Sequence, residues 1–257
     1  MTYRRSTLIA GFLILLAAPT LLAGQERTDL LALRARPQTL HLYGPPRGAP
    51  VILSSGDGGW IHLGPQVAEM LAARGFFVVG FDSKAYLEGF SSATTALTPG
   101  EVAGDFRTLM GYASRATGQR PLMVGISEGA GLSVLAAADP STPAPDGVIA
   151  IGLGDRNELA WRWKDTVIYL THRVPSEPTF SAVALAGRIA PTPLAVIAST
   201  HDEYVPKAEI DRIMAAARAP KRLWMIDAAD HRFSDQPEQL ASCLANAIAW
   251  VHQSGAR

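Results

Sequence analysis

The chain predicts an α/β fold: a mostly parallel central sheet with helices on both faces and a small lid segment. Three observations lead there. Apolar runs of strand length alternate with helical stretches, and such alternation implies crossover connections between parallel strands. The run Phe76-Phe77-Val78-Val79-Gly80-Phe81 is almost continuously apolar, the mark of a strand covered on both faces. Finally, Gly125-Ile126-Ser127-Glu128-Gly129 stands where an apolar run passes into an Ala- and Leu-rich stretch.

In chain order, residues 39–43 and 51–53 read as strands, the first short and at an edge. Residues 64–74 read as a helix, with Val67, Met70 and Leu71 on one face and Gly75 just past its end. The strand 76–81 follows. Thr98 then starts a helix as N-cap, with Pro99 at its first position and Glu101 placed for a capping box. Residues 122–124 form a strand, 130–138 a helix and 148–151 a strand. The stretch 155–187 breaks the alternation and is expected to lie over the site as a lid. Within it Trp161, Trp163 and Asp165 alternate with Arg162 and Lys164, the pattern of a twisted strand with one aromatic face. A strand at 194–198, a helix at 207–217, a strand at 222–226 and a helix at 237–253 complete the chain.

The N-terminus has the three parts of a secretory signal peptide. Arg4-Arg5 is basic, residues 8–22 are apolar, and Ala23 precedes the polar Gly24-Gln25-Glu26. Residues 1–23 are therefore expected to direct export to the periplasm or the exterior, with residues 24–257 as one domain. An uncleaved anchor is the alternative, because Leu21 is not the small residue preferred upstream of a cut. Lysines plus arginines equal aspartates plus glutamates at 23 each, so no excess charge points to nucleic acid. Cys243 is the single cysteine, which excludes an intramolecular disulfide. With Leu240, Leu244 and Ile248 at helical spacing, it reads as a buried helix thiol.

Gly-x-Ser-x-Gly alone is a weak signal, but its place after a strand and before a helix gives it chemical content. A tight turn exposes the Ser127 hydroxyl, and the helix that follows directs its N-terminal N–H groups toward it. Strands in such a sheet carry reactive groups on the loops at their carboxyl ends. Asp202 follows the strand 194–198 and His231 the strand 222–226, so Ser127, Asp202 and His231 come in the order nucleophile, acid, base. Asp230 and Glu203 are alternative acids, and His201 would face away from the site. His41, His172 and His252 read as surface or packing residues. The second oxyanion donor should come from Ser54-Ser55-Gly56-Asp57-Gly58-Gly59-Trp60, giving the backbone N–H groups of Asp57 and Glu128. That loop lacks the lysine and hydroxyl residue of a phosphate cradle. No His, Asp and Glu gather at metal-ligand spacing, so neither a metal nor a cofactor is expected.

With these residues assembled, the chain looks like an α/β-hydrolase and more narrowly resembles the VirJ/AcvB-type bacterial virulence family. The likeness rests on Ser54-Ser55-Gly56-Asp57-Gly58-Gly59-Trp60, with support from Arg74-Gly75, Val78 to Ser83, Asp105 and Gly125 to Gly129. It implies an exported hydrolase, with aminoacylated phosphatidylglycerol, especially the lysyl form, as a suggested substrate. The chain departs from the family pattern at Glu128, where an aromatic is usual, at Gly131, where an aspartate is usual, and in the reduction of a tyrosine-rich stretch to Lys84-Ala85-Tyr86. Glu128 and Asp57 either face solvent and arginines or draw a cationic group into the cleft. Trp60, Trp161 and Trp163 are the candidate substrate contacts. Packing of Trp161 and Trp163 onto the body competes with contact at a membrane surface. The partner expected is a small-molecule or lipid ester. A non-catalytic exported binding or secretion-associated protein on the same fold is the alternative class, and a generic esterase or thioesterase the alternative activity.

Overall fold

The computed structural model describes residues 26–172 and 177–255; the expected signal peptide, residues 1–23, lies outside them. The first half contains β1 (Arg27–Leu33), β2 (Arg36–Tyr43), β3 (Pro50–Ser54), α1 (Leu63–Ala72), β4 (Phe77–Phe81), α2 (Ser83–Phe90), α3 (Pro99–Ser114), β5 (Leu122–Ile126) and α4 (Glu128–Ala138). The second half contains β6 (Gly147–Ile151), β7 (Arg156–Glu158), α5 (Ile168–Thr171), β8 (Thr179–Ser181), α6 (Ala182–Ala186), β9 (Leu194–Ser199), α7 (Lys207–Ala216), β10 (Lys221–Ile226) and α8 (Pro237–Gly255).

Eight strands make one sheet in the order β1-β2-β4-β3-β5-β6-β9-β10. The hairpin β1–β2 and the pair β2–β4 are antiparallel, and the remaining pairs are parallel. Successive side chains of a strand face opposite ways, and the apolar ones divide accordingly. Ile52, Val79 and Met123 join α3, α4 and α7 on one face, whereas Val51, Leu53, Val78 and Val124 meet α1 and α8 on the other. Every residue of β3, β4, β5, β6 and β9 is buried, which is why those strands are legible as plain apolar runs. The start of α3 also follows from its sequence. The Thr98 side chain accepts the Glu101 N–H and Glu101 reaches back to the Thr98 N–H.

Two elements carry weaker signals. β1 is reached through Arg34 and Ala35, both at positive φ, 47° and 65°. A two-residue hairpin turn requires that twist, yet neither residue is the glycine or asparagine that usually announces it. α2 begins at Asp82, whose carboxylate accepts the N–H groups of Ala85 and Trp60. The twisted strand expected at residues 161–165 does not form. Trp163–Val167 is a 3-10 turn that Asp165 closes by accepting the Arg162 N–H at 2.6 Å, and the local antiparallel pair is instead β7 with β8. The cap satisfies backbone groups locally, so the segment needs no strand partner. Cys243 lies in α8 as expected, half-buried.

One polar cluster fastens the hairpin to the helical layer. Arg34 donates to both oxygens of Asp105 at 2.7–3.0 Å, and the Tyr86 hydroxyl donates to the same carboxylate at 2.7 Å. Asp105 is 3% exposed, so removing it strands two donors in a water-poor site. Asp105→Ala should cost about 3 kcal/mol in equilibrium urea unfolding. A loss under about 1 kcal/mol would mean that the hairpin is held elsewhere.

Candidate active site

The site begins with a strained turn. Ser127 is the N-cap of α4 at φ 52° and ψ −118°, a conformation that costs an L residue about 1–3 kcal/mol. Its N–H donates to Ile151 O at 2.8 Å. A Cβ at Gly125 would fall 2.3 Å from Gly129 O, and one at Gly129 would fall 2.3 Å from Ser55 O. Neither position accepts a side chain, so both glycines of the motif follow from packing. On the other side the loop after β3 passes beside the serine: a Cβ at Gly56 would lie 3.2 Å from Ser127 Cβ.

β9 and β10 deliver the other two groups. His231 Nδ1 and Asp202 Oδ2 are 2.6 Å apart. A carboxylate only accepts, so the proton sits on Nδ1 and Nε2 keeps a free lone pair. Asp202 is fixed in turn by Tyr204 and Val205, whose N–H groups donate to its Oδ1 at 2.9 and 2.8 Å. Glu203 accepts the His231 backbone N–H at 2.8 Å, and the Tyr204 ring meets the imidazole edge-on at 5.3 Å. Asp230 instead holds the N–H groups of Arg232 and Ser234. Of the three acids weighed, only Asp202 meets the ring. His201 is directed away, its Nδ1 near Thr200, Ala228 O and Asp227. Burial works against a charged His231, but the bond to Asp202 and the field of Asp202, Glu203 and Asp57 outweigh it, so its pKa is raised above the ordinary value.

Ser127, His231, Asp57 and Glu128 line one cavity of about 580 Å³. Glu128 is the first residue of α4, where the backbone N–H has no acceptor within the helix. Asp57 occupies the turn closed by the Gly59 N–H on Gly56 O at 3.0 Å, and its own carbonyl accepts the Tyr169 hydroxyl at 3.1 Å.

Of the two arrangements expected for these carboxylates, the one facing solvent and arginines does not hold for Glu128. Glu128 neither faces solvent nor pairs with an arginine; its Oε1 accepts the Glu158 N–H at 2.8 Å, tying the elbow to β7. Glu158, which no motif announces, is 2% exposed, and neither of its carboxyl oxygens has a hydrogen-bond partner among the described residues. Burial, reinforced by Asp57 and Asp165, pushes the Glu158 pKa up to about 8. Burial and then Glu158 hold Glu128 well above the usual range, and burial raises Asp57 despite the opposing His231. Gly131 has a reason here too: a Cβ would fall 2.1 Å from the Asn157 carboxamide of β7.

The three tryptophans expected to touch substrate do not line this cavity. Trp60 stacks on His41 at 4.6 Å and fills the space above Gly80. Trp161 is 1% exposed and packs with the body, whereas Trp163 is 86% exposed. The 155–187 stretch lines the cavity with Arg156, Asn157 and Glu158 and, further on, with Ile168, Tyr169 and His172; His172 reads from sequence as a surface or packing residue, because nothing local reveals that Tyr204 packs against it.

The strand order and the placement of these groups define an α/β-hydrolase fold. Residues 49–149 match the family of bacterial virulence protein VirJ, and that VirJ-like region carries the loop after β3 and the serine elbow. Similar solved structures include the esterase domain from a Rhodothermus marinus protein, at 18% identity and TM-score 0.63 over 89% of this chain and 98% of that one. A membrane phospholipase A described as a novel bacterial virulence factor gives 14% and 0.67 over 89% and 87%. A hydrolase from Pseudomonas aeruginosa PA01 gives 17% and 0.65 over 86% and 98%. No curated protein matches the chain.

Two titrations check this electrostatic picture. In a histidine NMR titration, His231 should titrate above about 6.5, and Asp202→Asn should move it downward. The stability that this raised pKa contributes is complete below the unfolded value and is lost as pH rises through the folded one. Glu158 has the same sign: its unfolded carboxyl ionises near pH 4.5 but its folded one near 8, so folding is penalised as pH rises between them. Glu158→Gln should therefore stabilise the protein by a few kcal/mol near pH 9 and by little near pH 5, read by urea unfolding at both.

Proposed function

We propose that this protein is an exported serine hydrolase that cleaves a carboxylic ester through an acyl-enzyme. The observation that carries the reading is His231, held by Asp202 at 2.6 Å, lining the same cavity as a serine strained onto an elbow. His231 Nε2 takes the Ser127 hydroxyl proton as Oγ attacks the ester carbon. The N–H groups of Asp57 and Glu128 receive the oxyanion, an electrostatic contribution of several kcal/mol. Collapse breaks the bond to the alcohol, which leaves with the proton held on His231. Water then attacks the acyl-enzyme, gives its proton to His231, and Ser127 departs by taking that proton back. Acid and alcohol are the products. Solved structures of the same fold are named as an esterase domain, a phospholipase and a hydrolase, which supports ester chemistry. The basic and apolar start of the chain supports export.

Within this reading the substrate is an aminoacylated phosphatidylglycerol of the lysyl type. The phospholipase neighbour supports a lipid. The acids support a cation: an ammonium beside Glu158 would supply the donor that its two oxygens lack and favour its ionised form. Asp57 and Glu128 add to the same field.

Ser127→Ala should abolish labelling by a fluorophosphonate probe and reduce ester hydrolysis by a factor on the order of 10⁵ or more. Unchanged labelling sinks the mechanism, and an unlabelled parent protein favours a binding role. For the substrate, kcat/KM for lysyl-phosphatidylglycerol should exceed that for an uncharged diacyl lipid, and Glu158→Gln should narrow the gap by about tenfold. Equal rates in the parent would leave a generic esterase.

A further inference from the structure

The 3-10 turn Trp163–Val167 runs directly into α5 and has two unlike sides. Ile168 and Tyr169 line the cavity. Trp163 and Leu170 point outward at 86% and 84% exposure, with Val167 between them at 49%. Val167 and Leu170, three residues apart, share one side of this short helical run, and Trp163 stands exposed about one turn before them. Ile61, from the loop after β3, is also exposed and borders the same cavity. Large apolar side chains gathered in the open normally mark an interaction surface.

The charges around this ridge are sorted as well. Asp165 is buried as the cap of the 3-10 turn, and Glu177 is buried against Arg162 and Lys164. The exposed side is thereby relieved of the segment's two acids. At the cavity itself Arg156 and Arg232 are exposed and form no ion pair among the described residues. Apolar groups with an exposed tryptophan, flanked by unpaired guanidiniums, complement an anionic interface with an apolar interior.

We propose that this ridge docks the protein onto an anionic phospholipid bilayer. Trp163, Val167 and Leu170 enter the boundary between headgroups and acyl chains, and Arg156 and Arg232 face lipid phosphates. The cavity mouth is then set against the membrane, where a lipid ester can enter without crossing water. The inference rests on the lipid-ester reading only for what the docked cavity would receive; adsorption itself needs no turnover.

Flotation with vesicles tests it, using Ser127→Ala so that no lipid is consumed. The protein should float with phosphatidylglycerol-containing vesicles and poorly with pure phosphatidylcholine, and salt should weaken the binding. Adding Val167→Ser and Leu170→Ser should cut binding by about tenfold or more. The same two substitutions in the parent protein should leave fluorophosphonate labelling and hydrolysis of a soluble short-chain ester unchanged, which shows that the fold survives. Full vesicle binding by the double variant, or no preference for the anionic vesicles, overturns the proposal. So does a dimer, seen by sedimentation, that the double variant dissolves while vesicle binding is absent. Failure of labelling in the parent would defeat the hydrolase reading and leave the flotation result intact.

Discussion

The arrangement of the site depends on how closely two backbones cross at the carboxyl end of the sheet. The carbonyls of Ser54 and Ser55, where β3 ends, lie 2.4 and 2.3 Å from where a Cβ of Gly129 would be. Gly125 is closed off in the same way by Gly129 O and Ala130. That contact holds α4 against β3, keeps Ser127 at positive φ and brings Gly56 beside it. Strain of about 1–3 kcal/mol at one residue persists only where surrounding structure over-determines it. Here five strands buried along their whole length provide that determination. The placement of Ser127 at the cavity wall and the N–H of Glu128 at the start of α4 are both consequences of the one crossing.

Electrostatics then divide the cavity. On one wall the imidazole of His231 is biased toward its charged form by Asp202, itself fixed by two backbone N–H groups. On the other, burial raises Asp57, Glu128 and Glu158, with Asp57 adding to the rise of both glutamates and Glu158 to that of Glu128. Burial disfavours the charged form of each, so these carboxyl groups ionise less readily than ordinary ones. The proton that leaves Glu158 when a cation arrives is thus part of recognition in the proposed reading. Tyr169 joins the two regions, since its hydroxyl bonds the Asp57 carbonyl while its helix carries the exposed Leu170. The outer ridge and the loop after β3 are therefore connected through one side chain.

Much of this was legible in the amino-acid sequence because the signals are local. Apolar runs 76–81 and 194–198 become fully buried strands, Thr98-Pro99-Gly100-Glu101 starts a helix with the hydrogen bonds its residue types require, and the glycines around Ser127 mark a turn that tolerates nothing larger. The order Ser127, Asp202, His231 and the pairing of Asp202 with the ring follow from where strands end. What only the tertiary structure decided lies in contacts between segments far apart in the chain. Glu158 and Glu128 meet across 30 residues, and Tyr169 reaches Asp57 across 112. The fates of Trp60, Trp161 and Trp163 differ although each is a tryptophan beside polar residues, because one is covered by β4, one by the body and one by nothing. Periodicity reports which face of an element is apolar, and propensity reports where an element begins. Neither specifies which distant carboxyl group is left in a dry cavity without a donor; that depends on packing of the whole chain, and it is there that the proposed specificity of this site arises.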